Sequence, residues 1–228
     1  MSAERAGEAG YDTAAFDVDG TLVDTNYQHT IAWFRAFRRH DMTVPMWRIH
    51  RSLGMGGDNL VTEVAGEDVE TKFGDELRAA WKEEFDPLIH EVVAAEGARE
   101  LLVAAGERGF KVVLASSGAE EHTKYYIDLL DAAGVIDGFT TADDVEKTKP
   151  APDLIHSALK KVGGTRGILI GDSTWDAQAA DRAGALTYAV LTGGFSVEEL
   201  EKAGARRVFV SLTSLRDAMD ELELKAAN

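Results

Sequence analysis

The sequence predicts an α/β fold: a Rossmann-like, doubly wound parallel sheet carrying an inserted α-helical cap. Three observations predict it. Short apolar runs with β-branched residues recur along the chain, and helix-like stretches separate them. Strands that are apolar throughout are buried on both faces, as in a parallel sheet covered by helices. The segment 26–92 stands apart: it is helical in pattern, rich in Trp, Arg and His, and holds no convincing buried strand. At 228 residues and 45% hydrophobic content, the chain can bury one sizeable core and a small insert.

The elements follow in order. Residues 1–10 (MSAERAGEAG) are small and charged, and read as a flexible tail and not as a signal peptide. Residues 14–18 (AAFDV) form the first strand, which ends in an acidic cluster. The insert offers helices at 27–40, 46–53, 58–64 and 75–89. A helix at 96–107 then leads to a strand at 110–115 (FKVVLA). Helices at 120–133 and 152–162 precede a strand at 167–170 (GILI). A helix at 176–183, a strand at 187–191 (TYAVL) and a helix at 197–203 come next. A strand at 208–210 (VFV) and a helix at 213–222 close the pattern. The core is thus residues 11–25 and 93–228, and the cap is residues 26–92. Right-handed crossovers wind such elements into one sheet. A lid over the carboxyl ends of the strands lies where open α/β sheets build their sites.

Charge narrows the partners. Lys and Arg number 24 against 40 Asp and Glu, a formal net charge of -16. So acidic a chain is a poor non-specific binder of nucleic acid and lacks the basic face that an anionic membrane would hold. No apolar run approaches a membrane-spanning length. There are 0 Cys, so disulfides, thiolate metal sites and cysteine nucleophiles are excluded. These features fit a cytoplasmic protein, monomer or homodimer, whose partner is a small molecule.

Four stretches could carry chemistry. The first is Phe16-Asp17-Val18-Asp19-Gly20-Thr21. Two carboxylates one residue apart leave a strand on the same side, and Gly20 lets the chain turn. Like charges so close call for a cation; an acidic turn is the plainer alternative. The second is Gly171-Asp172-Ser173-Thr174-Trp175-Asp176. Here Asp172 and Asp176 either join that rim or cap a helix. Up to four carboxylates at one rim suit Mg²⁺, which prefers oxygen ligands. The third, Ser116-Ser117-Gly118, is a hydroxyl with free N–H groups that either binds an anionic oxygen or caps a helix. The fourth is Lys149-Pro150-Ala151-Pro152-Asp153, where Pro150 keeps Lys149 out of a helix as a fixed cation or a solvated loop lysine.

Asp17-x-Asp19-Gly20-Thr21, Ser116, Lys149 before Pro150, and Gly171-Asp172 followed by Asp176 resemble, in order and strand-end position, the haloacid dehalogenase superfamily. The resemblance runs from Phe16 to about Gly184, with the insert in the place of a small helical cap. It implies that Asp17 is the nucleophile that becomes an aspartyl phosphate. It implies that Asp19 is the general acid and base. Mg²⁺ would be held by Asp17, the main-chain carbonyl of Asp19 and Asp172, with Asp176 in support. Ser116 would hold a phosphoryl oxygen, and Lys149 would balance charge. Candidate substrate contacts are Gly20, Ser117, Gly118, His29 and Arg51.

Within the superfamily, hydrolysis of a small phosphomonoester, of the sugar phosphate or phosphoglycolate type, is the expected activity. A β-phosphoglucomutase-like reaction is the alternative: Lys149 to Asp153 resembles that branch, and His29 its hinge histidine. The first Lys of the chain is Lys72, so the cap lysine that grips the mutase substrate has no counterpart before it. Dehalogenation ranks below because Asp19 is present, and a non-catalytic phosphate sensor or scaffold below because no key residue is lost. In the cap, the glycines of His50-Arg51-Ser52-Leu53-Gly54-Met55-Gly56-Gly57-Asp58-Asn59 suit a loop over the site, with Arg51 meeting an anion. The alternative is a helix stop at Gly54 and a cap at Asp58.

Overall fold

The computed structural model describes residues 10–222. Of the expected tail, residues 1–9 lie outside them. Strand β1 (Thr13–Phe16) is buried along its whole length, and a short strand β2 (Val23–Asp24) follows it. Helices α1 (Asn26–Arg39), α2 (Met46–Arg51), α3 (Gly57–Ala65) and α4 (Glu67–Phe85) come next. Strand β3 (Val93–Ala94) returns the chain to α5 (Ala98–Glu107), β4 (Lys111–Ala115), α6 (Glu120–Leu129) and β5 (Gly138–Thr140). Then come α7 (Asp153–Lys161), β6 (Gly167–Gly171), α8 (Thr174–Ala183) and β7 (Leu186–Val190). The last elements are α9 (Val197–Ala203), β8 (Arg207–Phe209) and α10 (Leu212–Asp217).

Six strands form one parallel sheet in the order β5-β4-β1-β6-β7-β8. Strand β1 lies between β4 and β6, with Phe16 level with Leu114 and Ile170. The winding reverses at β1, so the loops after β1, β4 and β6 meet at one rim. Alternation along the strands supplies both cores. Phe16, Leu114 and Ile170 join Leu101, Leu102 and Tyr126 on one face. Ala15, Val113 and Leu169 join Leu154, Ile155 and Ala180 on the other. Each such fully buried large side chain contributes about 1.5–3 kcal/mol.

The α-helical cap has its own core of Trp33, Phe37, Ile49, Leu60, Val61 and Leu77. Its two connections run side by side as an antiparallel ribbon, Val23 opposite Ala94 and Asp24 opposite Val93. No described helix is long and apolar enough to cross a membrane.

Three differences from the sequence expectation stand out, two of them with a physical reason. Strands β5, β2 and β3 are only two or three residues long, too short for a periodic signal. Helix α4 begins at Glu67 and not near residue 75, because Gly74 does not break it. Gly74 is buried, and its missing side chain leaves room for Glu70 to reach Arg78 at 2.8 Å. Helix α10 stops at Asp217, earlier than expected.

Asp12 ties β1 to the loop before β6. Its carboxylate accepts from Thr165 N at 2.9 Å, Thr165 Oγ1 at 2.7 Å, Arg166 N at 3.1 Å and Thr13 Oγ1 at 2.8 Å. Burial opposes ionisation here, but these bonds outweigh it and hold the pKa down, to about 2. A depressed carboxyl pKa adds stability above its ordinary value. Asp12→Ala is therefore expected to lower unfolding stability by about 1–3 kcal/mol at neutral pH. Urea titrations should find that gap full above 3.8 and closing as pH falls toward about 2.

Candidate active site

The rim gathers four ionisable groups that the sheet buries. Asp17 is 4% exposed, Asp172 3%, Asp176 1% and Lys149 2%. The Lys149 ammonium donates to Asp17 Oδ1 at 2.8 Å and to Asp176 Oδ1 at 2.9 Å. Asp17, Asp172 and Asp176 each place a carboxylate oxygen within 4.8 Å of the others. One cation among three buried carboxylates leaves surplus negative charge, which the protonation equilibria register. Burial, then the Asp176 charge, raise the Asp17 pKa well above the carboxylate range. The same two causes push Asp172 up to about 7. Burial alone would lower Lys149, but Asp17 and Asp176 more than reverse that, so it stays protonated. Three hard oxygen donors with surplus negative charge fit a divalent cation.

The local chain explains the convergence. Asp17 N donates to Ile170 O at 2.8 Å, so the β1–β6 ladder runs on into the site. Gly20 turns the chain with φ +79°, and a Cβ there would lie 2.5 Å from Asn26 Nδ2 and from Asp172 Oδ2. Thr21 Oγ1 donates to Asp172 Oδ1 at 2.7 Å, and Asn26 Nδ2 to Oδ2 at 3.4 Å. The turn after β1 thus orients the carboxylate after β6. For Asp176 the sequence offers capping or ligation, and the structure shows that one side chain caps and meets Lys149 together. Its Oδ2 accepts from Ser173 N at 3.1 Å in the capping box of α8, while Oδ1 faces Lys149.

Asp19 is held apart from that cluster. Its Oδ1 accepts from His29 Nε2 at 3.0 Å, and the imidazole lies flat on Phe85 at 4.1 Å between ring centroids. Trp81 stacks on the same ring at 5.5 Å, so His29 is fixed by the end of α4. Burial would raise the Asp19 pKa, but the His29 contact and Thr25 outweigh it and lower it. The buried Tyr126 hydroxyl has no hydrogen-bond partner among the described residues. Burial and the nearby Asp19 charge raise its pKa, so it remains a neutral phenol.

Ser116 is buried at the end of β4 and is not a helix cap, since Ala119 holds that position before α6. Its Oγ accepts from Gly118 N at 3.0 Å and from Thr123 Oγ1 at 3.3 Å. The Thr123 hydroxyl also reaches Ala119 O at 3.2 Å, so Ser116 and Thr123 form one short hydroxyl chain beside the site. Ser117 and Gly118 are half-buried beside it, and a Cβ on Gly118 would lie 4.0 Å from Asp19 Oδ2.

Lys149 therefore touches Asp17 and Asp176, Asp172 has an oxygen within 4.8 Å of both carboxylates, and Asp19, His29, Gly20, Ser116 and Gly118 lie around them. Arg51 is not brought to this group. Its guanidinium lies 3.9 Å over the Phe195 ring, donates to Gly194 O at 3.3 Å and pairs with Glu199. Thr21, Asn26 and Tyr126 are the contributors that the sequence reading did not assign. Thr21 stood inside the first motif, whereas Asn26 and Tyr126 had no local signal.

The family model for haloacid dehalogenase-like hydrolases matches residues 14–190. This chain belongs to that family. A solved hydrolase from Pseudomonas syringae superposes with a TM-score of 0.86 at 34% identity, over 92% of this chain and 99% of that one. A phosphoglycolate phosphatase from Nitrosospira multiformis is 31% identical over 199 residues, 81% of this chain and 86% of its own. A validoxylamine A 7'-phosphate phosphatase from Streptomyces hygroscopicus subsp. limoneus is 26% identical over 196 residues, 80% of this chain and 86% of its own.

Proposed function

We propose that this hydrolase is a Mg²⁺-dependent phosphatase of small phosphomonoesters, of the phosphoglycolate or sugar phosphate type, that works through an aspartyl phosphate on Asp17. The observation that carries the reading is the Lys149 ammonium bridging Asp17 and Asp176 beside Asp172. The similar phosphatases support it: phosphoglycolate and validoxylamine A 7'-phosphate have different bodies but share a phosphomonoester.

A carboxylate attacks a phosphate only where positive charge screens both anions. Mg²⁺ held by Asp17, Asp172 and the Asp19 carbonyl, with Asp176 in support, would add to the charge that Lys149 supplies. An Asp17 oxygen bonds to phosphorus as the ester P–O bond breaks. Asp19 must enter the cycle protonated, against the pull of His29, and gives that proton to the leaving oxygen. Asp19 then takes a proton from water as the water oxygen bonds to phosphorus. The P–O bond to Asp17 breaks, inorganic phosphate leaves, and the carboxylate is restored. Ser116, with the main-chain N–H of Ser117, holds the phosphoryl oxygens, since the N–H groups of Gly20 and Gly118 are given to Val23 O and Ser116 Oγ. His29 keeps Asp19 aimed between turns of the cycle.

Residues 26–92 act as the cap over the core of 11–25 and 93–222, the expected residues 223–228 lying outside the described ones, and exclude bulk water during the reaction. The β2–β3 ribbon is the natural hinge. The test is phosphate release from phosphoglycolate, hexose and pentose phosphates and β-glucose 1-phosphate, with Mg²⁺ and with EDTA. Release that requires the metal is expected. Release indifferent to EDTA would overturn the metal requirement. Conversion of β-glucose 1-phosphate to the 6-phosphate without release would overturn hydrolysis.

A further inference from the structure

Two cap residues reach across to the loop that carries the site lysine. Asn59, in the first turn of α3, donates from Nδ2 to Thr148 Oγ1 at 2.9 Å and to Lys149 O at 3.2 Å. Thr148 Oγ1 in turn donates to Asp58 Oδ1 at 3.0 Å. A main-chain carbonyl only accepts, so the Asn59 amide must present its nitrogen there. Gly56 closes the contact: a Cβ on it would lie 2.3 Å from Thr148 Cγ2, so the cap backbone presses directly on Thr148. The proposed reaction gives Asn59, Asp58, Gly56 and Thr148 no role. They nonetheless grip the backbone from which Lys149 reaches Asp17 and Asp176.

We propose that Asn59 is a positioning residue that acts through the Thr148–Lys149 backbone to seat the Lys149 ammonium. The lysine is then fully set for the charge balance at Asp17 only while the cap is docked. The argument is geometric. The ammonium ends a flexible four-carbon stem. Its 2.8 Å contact with Asp17 survives only if the stem starts from a fixed place. Small misplacements of that kind cost rate more than binding. Cap docking and assembly of the phosphoryl site thereby become one event. This inference rests on the phosphatase reading.

The test compares wild type with Asn59→Ala and Asn59→Asp on the best monoester of the panel, with Mg²⁺. Asn59→Asp keeps the side-chain shape but turns an acceptor toward the Lys149 carbonyl. Both variants should lose about tenfold or more in kcat while KM moves by less than about threefold. Thermal midpoints should stay close to wild type, because Asn59 is half-buried on the cap surface. Undiminished kcat in either variant would overturn the inference. So would a loss confined to KM, which would make Asn59 a substrate contact, or a loss that follows a collapse in thermal midpoint. A wild-type protein that releases no phosphate from any monoester would remove the underlying reading. An active wild type with an equally active Asn59→Ala would remove this inference alone.

Discussion

Asp17→Asn is expected to lower kcat by about 10⁴-fold or more, because the proposed nucleophile becomes a neutral amide while Asp172 and Asp176 are taken up with Thr21, Asn26, Ser173 and Lys149. The fold should survive. Asn matches Asp in shape, and Lys149 keeps its contact with Asp176 at 2.9 Å. Stability should hold within about 1 kcal/mol of wild type, or rise. The reason is that burial and Asp176 already disfavour the Asp17 charge, so removing it relieves repulsion. Activity and stability therefore part company at this residue. Phosphate release at saturating substrate, beside urea unfolding of the same preparation, checks both. Substantial residual turnover would mean that Asp17 is not the nucleophile.

Lys149→Met should behave differently, losing both. The side chain is close in volume but carries no charge, so three buried carboxylates would face one another without a cation. Removing one partner of a buried charge cluster costs about 3–5 kcal/mol. For a chain of this size that is a fall of about 10 °C in thermal midpoint. The fall should be largest in metal-free buffer and smaller when Mg²⁺ is added. The kcat/KM should drop by about 10²–10³-fold, the scale for losing one group that stabilises developing charge. Differential scanning fluorimetry with and without Mg²⁺ reads the first effect, and steady-state kinetics the second. A Lys149→Met protein more stable than wild type would contradict a charged carboxylate cluster at the rim.

The strands that carry the site were legible because each is a continuous apolar run with an acidic or hydroxyl residue at its end. Strands β1, β4 and β6 place Asp17, Ser116 and Asp172 in this way. Lys149 was legible through Pro150, which marks a fixed loop. The convergence of Asp17, Asp172, Asp176 and Lys149 then needed only the parallel order of the strands. The helical insert was legible in its pattern, although Gly74 hid the start of α4.

What stayed hidden is contact between distant side chains. Thr21 meets Asp172 across 151 positions, and Asn59 meets Thr148 across 89. Such pairs leave no periodic trace. Asp58 shows why local rules fall short here. Its place before an apolar run suggests a helix cap, yet Gly56 holds the N-cap of α3 without a side-chain bond. The Asp58 carboxylate accepts from Thr148 instead. Arg51 is the converse case: a cation on a Gly-rich cap segment suggests an anion partner, and Glu199 supplies it, with Phe195 under the guanidinium, in place of a ligand.

The central claim is that Asp17 carries the phosphoryl group. The direct measurement is a rapid acid quench of the wild-type protein during its first turnovers on the best monoester, followed by peptide mass spectrometry. The account predicts a phosphoryl adduct on Asp17 that withstands acid, is lost in base, and never forms in Asp17→Asn. Phosphate release with no adduct at any time, or an adduct on another residue, would contradict it.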